Sequence, residues 1–428
     1  MIVKWLIRKP LWSKFDVITQ KQANNILLAE LPIIKQSQGN VSKNDTKNSI
    51  PKGLNNMGNT WFLNSTLQWL LNTTPLKNYL TSEIHSAKWK VKGNCPFWAL
   101  EKLMIEVNTT TASKVTPKDI VNNLKKTWSQ YKFGRQEDAH EFLVMFLQGI
   151  LRASFGNSAT LLKKYEHLTM LYRIFAGKLR SQVMCLSWSY CSNSYEPFLA
   201  LSLDVSTAST FEEWIKRFWA PEILDGDNKY QCGGWDKLSK AKKRMTIFKP
   251  PRILTVQFMR FTALGKKINK FVQFPKSFNL RVFVSENVDT KIPREQQTDH
   301  IYNLYGVIVH AGQTWKSGHY YSFVRNEDKW FMWNDEKITE IKDIDRVLKQ
   351  NAYILFYKYR IPNVNKTASK SFSKESIMPS LTLNRTKSLS VEIKESQDNK
   401  NKNFMPLSGY FEGDKEENSE EEEEKLTK

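Results

Sequence analysis

Gly53-Leu54-Asn55-Asn56-Met57-Gly58-Asn59-Thr60-Trp61-Phe62-Leu63-Asn64-Ser65 decides how this 428-residue chain reads. Phe62, Leu63, Leu67, Leu70 and Leu71 recur at helical spacing, which predicts a helix with residue 61 near its N-terminus. Downstream, Thr116-Pro117-Lys118-Asp119 predicts a cap followed by proline at the first helical position, opening a helix through Ile120 and Leu124. A third apolar stripe, Ala139, Phe142, Leu143, Phe146, Leu147, Ile150 and Leu151, follows Gly134-Arg135-Gln136-Glu137-Asp138. The second half is strand-rich: Ile253 to Phe258, Leu304 to Val309, Tyr320 to Val324 and Ala352 to Tyr357 are β-branched or aromatic runs. Helices first and sheet second predicts an α+β fold, with a cleft between the halves that brings positions 61 and 319 together.

Three stretches, in this order, resemble the boxes of the ubiquitin-specific proteases. That family's first box reads G-L-x-N-x-G-N-T-C-[FY]-x-N-[AS], and residues 53–65 fit it everywhere except at the nucleophile, where Trp61 stands in place of cysteine. Gly134 to Leu143 resembles the second box. Gly318-His319-Tyr320-Tyr321-Ser322-Phe323, with Trp330, Asn334 and Asp335, resembles the third. The resemblance spans residues 53 to 360. It implies a papain-like cysteine peptidase with a helical thumb, a β-rich palm and β-ribbon fingers, acting as a deubiquitinase on ubiquitin and ubiquitinated proteins. The reaction implied is thiol-dependent hydrolysis after the C-terminal glycine of ubiquitin, without a cofactor for catalysis.

A cysteine at position 61 would be activated, because a helix N-terminus and a nearby imidazole lower a thiol pKa from about 8.5. By the resemblance His319 is the general base and Asn334 orients its imidazole, with Asp335 as the alternative partner. Asn56 matches the oxyanion-hole amide. Ubiquitin ends in Leu-Arg-Leu-Arg-Gly-Gly, so its cleft needs carboxylates for the arginines and a passage too narrow for side chains beyond glycine. Gln136, Asp138, Glu141 and Gly318 fall to substrate binding on this reading. Asp138 matches the family position, whereas Glu141 reads equally well as a surface charge. His310 reads as a supporting strand residue, and Asn64 and Gln68 as solvated or structural.

The four cysteines are too few for a disulfide scaffold, and the grouping of Cys185, Cys191 and Cys232 suggests metal or thiol chemistry in a reducing compartment. Cys95 reads as a buried small hydrophobe. Cys185-Leu186-Ser187-Trp188 and Cys232-Gly233-Gly234-Trp235 lie where the family often has two C-x-x-C pairs holding a structural zinc in the fingers. An indole nitrogen has no lone pair to give, so the zinc is expected only if 188 and 235 are cysteine. Trp69, Trp98 and Trp315 also occupy places where related proteins often have cysteine.

Loss of catalysis would not by itself put the bulkiest side chain at 61, 188 and 235, where overpacking typically costs about 1–3 kcal/mol each. A codon-level cause explains them together: UGA encoding cysteine but translated as tryptophan. The natural polypeptide is then expected to have cysteine at 61, 188 and 235. The competing reading is a catalytically inactive, ubiquitin-binding scaffold obstructed by Trp61.

Residues 1–50 read as an N-terminal extension and linker, residues 51–360 as the catalytic domain, and residues 361–428 as a disordered polar tail ending in the acidic run Glu420 to Glu424. Net charge is +21, yet the tail holds 11 Lys/Arg against 13 Asp/Glu, leaving 53 against 30 in residues 1–360. This basic body suits nucleic-acid or ribosomal association, a weaker reading because no recognised nucleic-acid motif accompanies the charge. No apolar run approaches the roughly 20 residues of a membrane helix, and the expectation is an intracellular chain with no membrane partner.

Overall fold

The computed structural model describes residues 51–88, 95–155, 158–206, 208–262, 264–285, 299–314 and 317–360. The chain divides into two units, Met1–Ile361 and Pro362–Lys428, and all described residues lie in the first. The expected extension 1–50, the tail 361–428 and Trp315 fall outside the described residues.

In the helical half, β1 (Gly53–Leu54) leads into α1 (Trp61–Leu71), buried at every residue except Trp61. A helix apolar on one side only would lie on a surface; α1 instead runs through the core, and its polar side chains must therefore find partners. They do: the Ser65 and Thr66 hydroxyls donate to Phe62 O, and Gln68 Nε2 donates to Lys52 O. Around it stand α2 (Thr74–Leu80), α3 (Ile84–Lys88), α4 (Pro96–Thr109) and the short β2 (Lys114–Val115), which pairs in parallel with β1.

The next helix, α5, spans Lys118–Thr127, so it begins one residue later than its proline suggested. Thr116 does not cap it; its hydroxyl accepts from Asn55 Nδ2 at 2.7 Å, tying β2 to the first box. α6 (Ala139–Ser154) buries the predicted stripe against α1, with Phe62 edge-on to Phe142 at 5.7 Å. α7 (Ala159–Tyr165) and α8 (Met170–Phe175) complete this half.

The remainder is mostly strand. β3 (Gly177–Cys185), β4 (Cys191–Phe198), β6 (Glu222–Leu224) and β9 (Ala241–Lys249) form a ribbon in the order β4-β3-β9-β6. At its far end β7 (Tyr230–Cys232) and β8 (Lys237–Ser239) make a hairpin. A larger sheet is built from β5 (Leu201–Asp204), β10 (Ile253–Met259), β12 (Ile301–Thr314), β13 (Ser317–Asn326), β14 (Lys329–Asn334), β15 (Lys337–Ile341) and β16 (Ala352–Tyr359). Its order is β15-β14-β13-β12-β16-β10-β5, with β11 (Ser277–Asn279) also on β12.

Alternation along these strands serves two cores. Ile354 and Phe356 face the helices while Leu355 and Tyr357 face a second cluster that contains Trp214 and Ile215 of α9 (Phe211–Phe218). Burial on both faces explains why the strands read as unbroken apolar runs. Trp69 is well seated here, stacked on Phe356 at 3.7 Å with its indole N–H donating to the Tyr305 hydroxyl at 2.8 Å. Among the described residues no helix is long and apolar enough to cross a membrane.

One carboxylate binds the two halves. Asp138 caps α6, accepting through Oδ1 from the backbone N–H groups of His140 (2.8 Å) and Glu141 (2.9 Å). Its Oδ2 accepts from the hydroxyls of Tyr353 (2.6 Å) and Tyr320 (3.2 Å) on the sheet. Burial first, and the Asp138 charge second, hold both phenols firmly protonated and so able to donate. Removing the carboxylate loses a cap and strands buried donors. We expect Asp138→Ala to cost about 3 kcal/mol, from roughly 1 for the cap and 1.5–3 for bonds to a charged acceptor. Urea unfolding measures this, and a change below about 1 kcal/mol would contradict the bridging role.

Candidate active site

Residue 61 opens α1, and the loop ahead of it is folded by its own asparagines. Asn56 Oδ1 accepts from the N–H of Gly58 (2.9 Å) and Thr60 (3.3 Å), while the Thr60 hydroxyl accepts from Met57 N (2.9 Å). Gly58 and Asn59 both have positive φ, +97° and +56°, a left-handed course that glycine takes freely and asparagine tolerates. Asn59 Nδ2 then donates to Gly134 O at 2.6 Å, which joins the first box to the second.

His319 lies on β13, beside residue 61: the Trp61 and His319 rings are 5.4 Å apart between centroids, inclined at 53°. The imidazole Nε2 donates to Asn334 Oδ1 at 2.5 Å, which fixes the tautomer and leaves Nδ1 as its acceptor nitrogen. Asn334 ends β14, so the predicted orienting residue stands at the ring. Asp335, the alternative partner, is engaged elsewhere. Its Oδ2 accepts from Asn56 Nδ2 (3.0 Å), its Oδ1 from Asn64 Nδ2 (2.8 Å), and its carbonyl from Leu54 N (3.0 Å). Asn56 keeps its second amide hydrogen for another acceptor. Asn64 was expected to be solvated or structural; it is buried, and it positions Asp335.

The second box lines the cleft opposite. Gln136 Oε1 accepts from Gly318 N at 2.9 Å, a bond across the cleft. Gly318 has no room for a side chain, since a Cβ there would overlap His310 Nε2. His310 is buried on β12 as expected, with its pKa pushed down to about 4 by burial and then by Lys267. Asp138 has four donors on its two oxygens and is committed to the fold. Two further carboxylates flank it, Glu137, which sequence reasoning did not single out and which accepts from the Lys132 N–H, and Glu141. Glu141 is exposed, yet desolvation along the helix wall and then the Asp138 and Glu137 charges push its pKa up to about 7. Glu137 is raised too, by desolvation first.

At the ribbon's tip Cys185 and Cys232 are buried, with their thiols in hydrogen-bond contact. Trp188 and Trp235 stack in parallel beside them, 6.2 Å between centroids and 7° between planes, and are 60% and 38% exposed. The four nominated positions therefore do converge. Two thiols and two indoles do not form a zinc set, however, and among the described residues no three His, Cys, Asp or Glu side chains are grouped to hold a metal ion. Cysteines at 188 and 235 would complete one.

Comparison with known proteins agrees with this geometry. The family model for ubiquitin carboxyl-terminal hydrolase matches residues 52–357. Ubiquitin carboxyl-terminal hydrolase 23 of Arabidopsis thaliana is 38% identical over 73% of this chain and 36% of its own length. Human ubiquitin carboxyl-terminal hydrolase 42 is 34% identical over 72% of this chain and 23% of its own. The probable ubiquitin carboxyl-terminal hydrolase 16 of Schizosaccharomyces pombe is 36% identical over 73% of this chain and 68% of its own. The chain thus spans about a quarter to two thirds of the length of these relatives. Among solved structures, the SAGA Ubp8/Sgf11/Sus1/Sgf73 DUB module bound to ubiquitin aldehyde superposes with TM-score 0.65 at 29% identity, covering 79% of this chain and 76% of that one.

A cysteine placed at 61 should behave as a thiolate near neutral pH. In Trp61→Cys protein, iodoacetamide alkylation should follow a thiol pKa at least about one unit below the ordinary 8.5, and adding His319→Ala should return it toward that value. An alkylation profile unaffected by His319→Ala would contradict the pairing.

Proposed function

The chain belongs to the ubiquitin carboxyl-terminal hydrolase family, and on that premise we propose that its natural polypeptide has cysteine at 61 and works as a deubiquitinase. The reaction is hydrolysis of the isopeptide or peptide bond after the C-terminal glycine of ubiquitin. The observation that carries this reading is the imidazole of His319, held by Asn334 through Nε2 and set against residue 61 at a helix start.

The geometry supports the following course. His319 Nδ1 takes the thiol proton, and the sulfur attacks the carbonyl carbon of the terminal glycine. Charge gathers on the carbonyl oxygen, where the spare amide hydrogen of Asn56 meets it; one such donor contributes about 3 kcal/mol. The imidazolium then protonates the departing lysine amine as the C–N bond breaks. Water, deprotonated by the same nitrogen, hydrolyses the thioester and restores the thiol. Asp335 reacts with nothing; it holds Asn56 from one side while Asn64 holds it from the other. Substrate arginines are drawn by Glu137 and Glu141, and the Gln136–Gly318 bridge keeps the passage narrow enough to select glycine.

Tryptophan at 61 has no nucleophilic sulfur, so the literal chain is inactive on this account. Its indole Nε1 is buried and has no hydrogen-bond partner among the described residues, a state it shares with Trp128, Trp219 and Trp333. The exposed, stacked pair at 188 and 235, beside two buried thiols, favours the codon reading, with a structural zinc at the ribbon tip once cysteine is present. The packing of Trp61 against His319 is what favours the competing reading, an inactive ubiquitin-binding scaffold.

A ubiquitin C-terminal electrophile separates them. Protein isolated from its source should be labelled at residue 61, as should Trp61→Cys protein, and the literal Trp61 chain should not. Native protein that binds ubiquitin without labelling would establish the scaffold.

Glu141 also gives a pH signature. Its raised pKa means that the folded protein retains a proton there up to about 7, so the carboxylate gains its charge, and its pull on arginine, as pH rises through that value. Ubiquitin Kd should fall several-fold between pH 6 and 8, and Glu141→Gln should flatten the dependence. A Kd equally steep in the variant would remove Glu141 from the contact.

A further inference from the structure

The far end of β12, which pairs with the strand that carries His319, is fastened by a buried lysine. Lys267 is 7% exposed, and its ammonium donates to the His310 carbonyl. Ala311, the next residue, is the cross-strand partner of His319. The same segment holds β12 twice more: Lys267 N donates to Gln313 O at 2.9 Å, and Asn269 Nδ2 donates to Gln313 Oε1 at 2.9 Å. Ladder pairing alone does not fix this stretch, because the β12–β13 register shifts between Ala311 and Thr314.

Arg260 fixes the segment that bears the lysine. It is wholly buried; Nε donates to Ala352 O on β16 at 2.5 Å, and Nη1 donates to Ile268 O at 3.1 Å and Lys270 O at 2.7 Å. Among the described residues neither cation forms an ion pair with a carboxylate, and carbonyl oxygens meet both. Burial first, and the Arg260 charge second, push the Lys267 pKa down to about 8, so the ammonium form still prevails near neutral pH. A buried ammonium without a carboxylate is costly, and methionine would fill a similar space without that cost. What the ammonium adds is a charge-assisted bond to one carbonyl, about twice as strong as a neutral one.

The residue that owns this carbonyl stands against the candidate passage. A Cβ on Gly318 would come within 2.1 Å of His310 Nε2, and one on Gly312 within 2.9 Å of His310 Cε1. Gly318 N is the donor that reaches Gln136 across the cleft. A shift of His310 would therefore disturb the glycine bridge and the strand position of His319 together.

We propose that Lys267 is a positioning residue for the deubiquitinase reaction, which through the His310 carbonyl sets where β12 and β13 hold His319 and Gly318. It acts through backbone and takes no part in bond making. The proposal rests on the functional reading above and adds a residue remote in sequence from all three boxes.

A double-mutant cycle on Trp61→Cys protein tests it, with the thiol pKa at 61 read from iodoacetamide alkylation. Lys267→Met should raise that pKa by at least about half a unit, and the increment should vanish where His319→Ala is already present. Urea unfolding checks that the variant is folded. Where Lys267→Met does not fold, Lys267→Gln, which keeps an N–H donor without the charge, is read in its place with the same expectation. On a ubiquitin C-terminal fluorogenic amide, Lys267→Met should lower kcat on the order of tenfold with KM held within about twofold. It should also narrow the preference for a ubiquitin tail ending in glycine over one ending in alanine. An equal thiol shift with and without His319, or a kcat within about twofold of the parent, overturns the positioning role. If the parent Trp61→Cys protein cleaves no ubiquitin substrate, the functional reading fails, and the alkylation cycle still decides whether Lys267 positions His319.

Discussion

A two-residue turn between β14 and β15 governs the candidate active site. Asn334 and Asp335 are adjacent in sequence but must face opposite ways, one toward His319 and the other toward the loop of the first box. The chain achieves this because Asp335 takes a left-handed φ of +49°, which reverses the direction of its side chain at little cost for an aspartate. From that one conformation follow the fixed tautomer of the imidazole, the orientation of Asn56 and the docking of β1, whose Leu54 N–H bonds to the Asp335 carbonyl. Gly53 lies so close to the Glu336 backbone that no side chain fits between them, and Lys114 pairs with the Glu336 carboxylate beyond it. The strand half therefore orders the loop that precedes residue 61, although Asn56 and Asp335 are 279 residues apart in the chain.

The second box supplies the complementary tie. Asp138 spends all its accepting capacity on a helix cap and two tyrosines of the sheet, and Gln136 holds the backbone of Gly318. A position that looks like a ligand contact in sequence thus pins the two halves together, while the Glu137 and Glu141 carboxylates beside it take no part in the cap. Such division is physically sensible, since a carboxylate saturated by four donors has little left to offer an arginine.

Much of this was legible in advance. The periodicities of α1 and α6 and the β-branched runs of β10, β12, β13 and β16 follow directly from which faces are buried, and the cleft between halves emerges with 61 beside 319. The start of α5 was misplaced because Thr116 has a stronger use for its hydroxyl than capping, a long-range bond to Asn55 that no local pattern reveals. The paired duties of Asn334 and Asp335 were likewise out of reach, as they depend on the sign of one φ angle. Cys95 is buried as its sequence suggested, and only the fold brings His85 Nε2 to 3.2 Å from its sulfur.

The tryptophans carry the account's central claim, and their environments divide them. Trp69 stacks on Phe356 and bonds to Tyr305, Trp61 packs against the His319 imidazole, and Trp188 and Trp235 stack in parallel, partly exposed, beside the buried thiols of Cys185 and Cys232. Peptide mass spectrometry of protein taken from its source organism reads residue 61 directly. The account predicts the mass of a cysteine there; the mass of a tryptophan would contradict it.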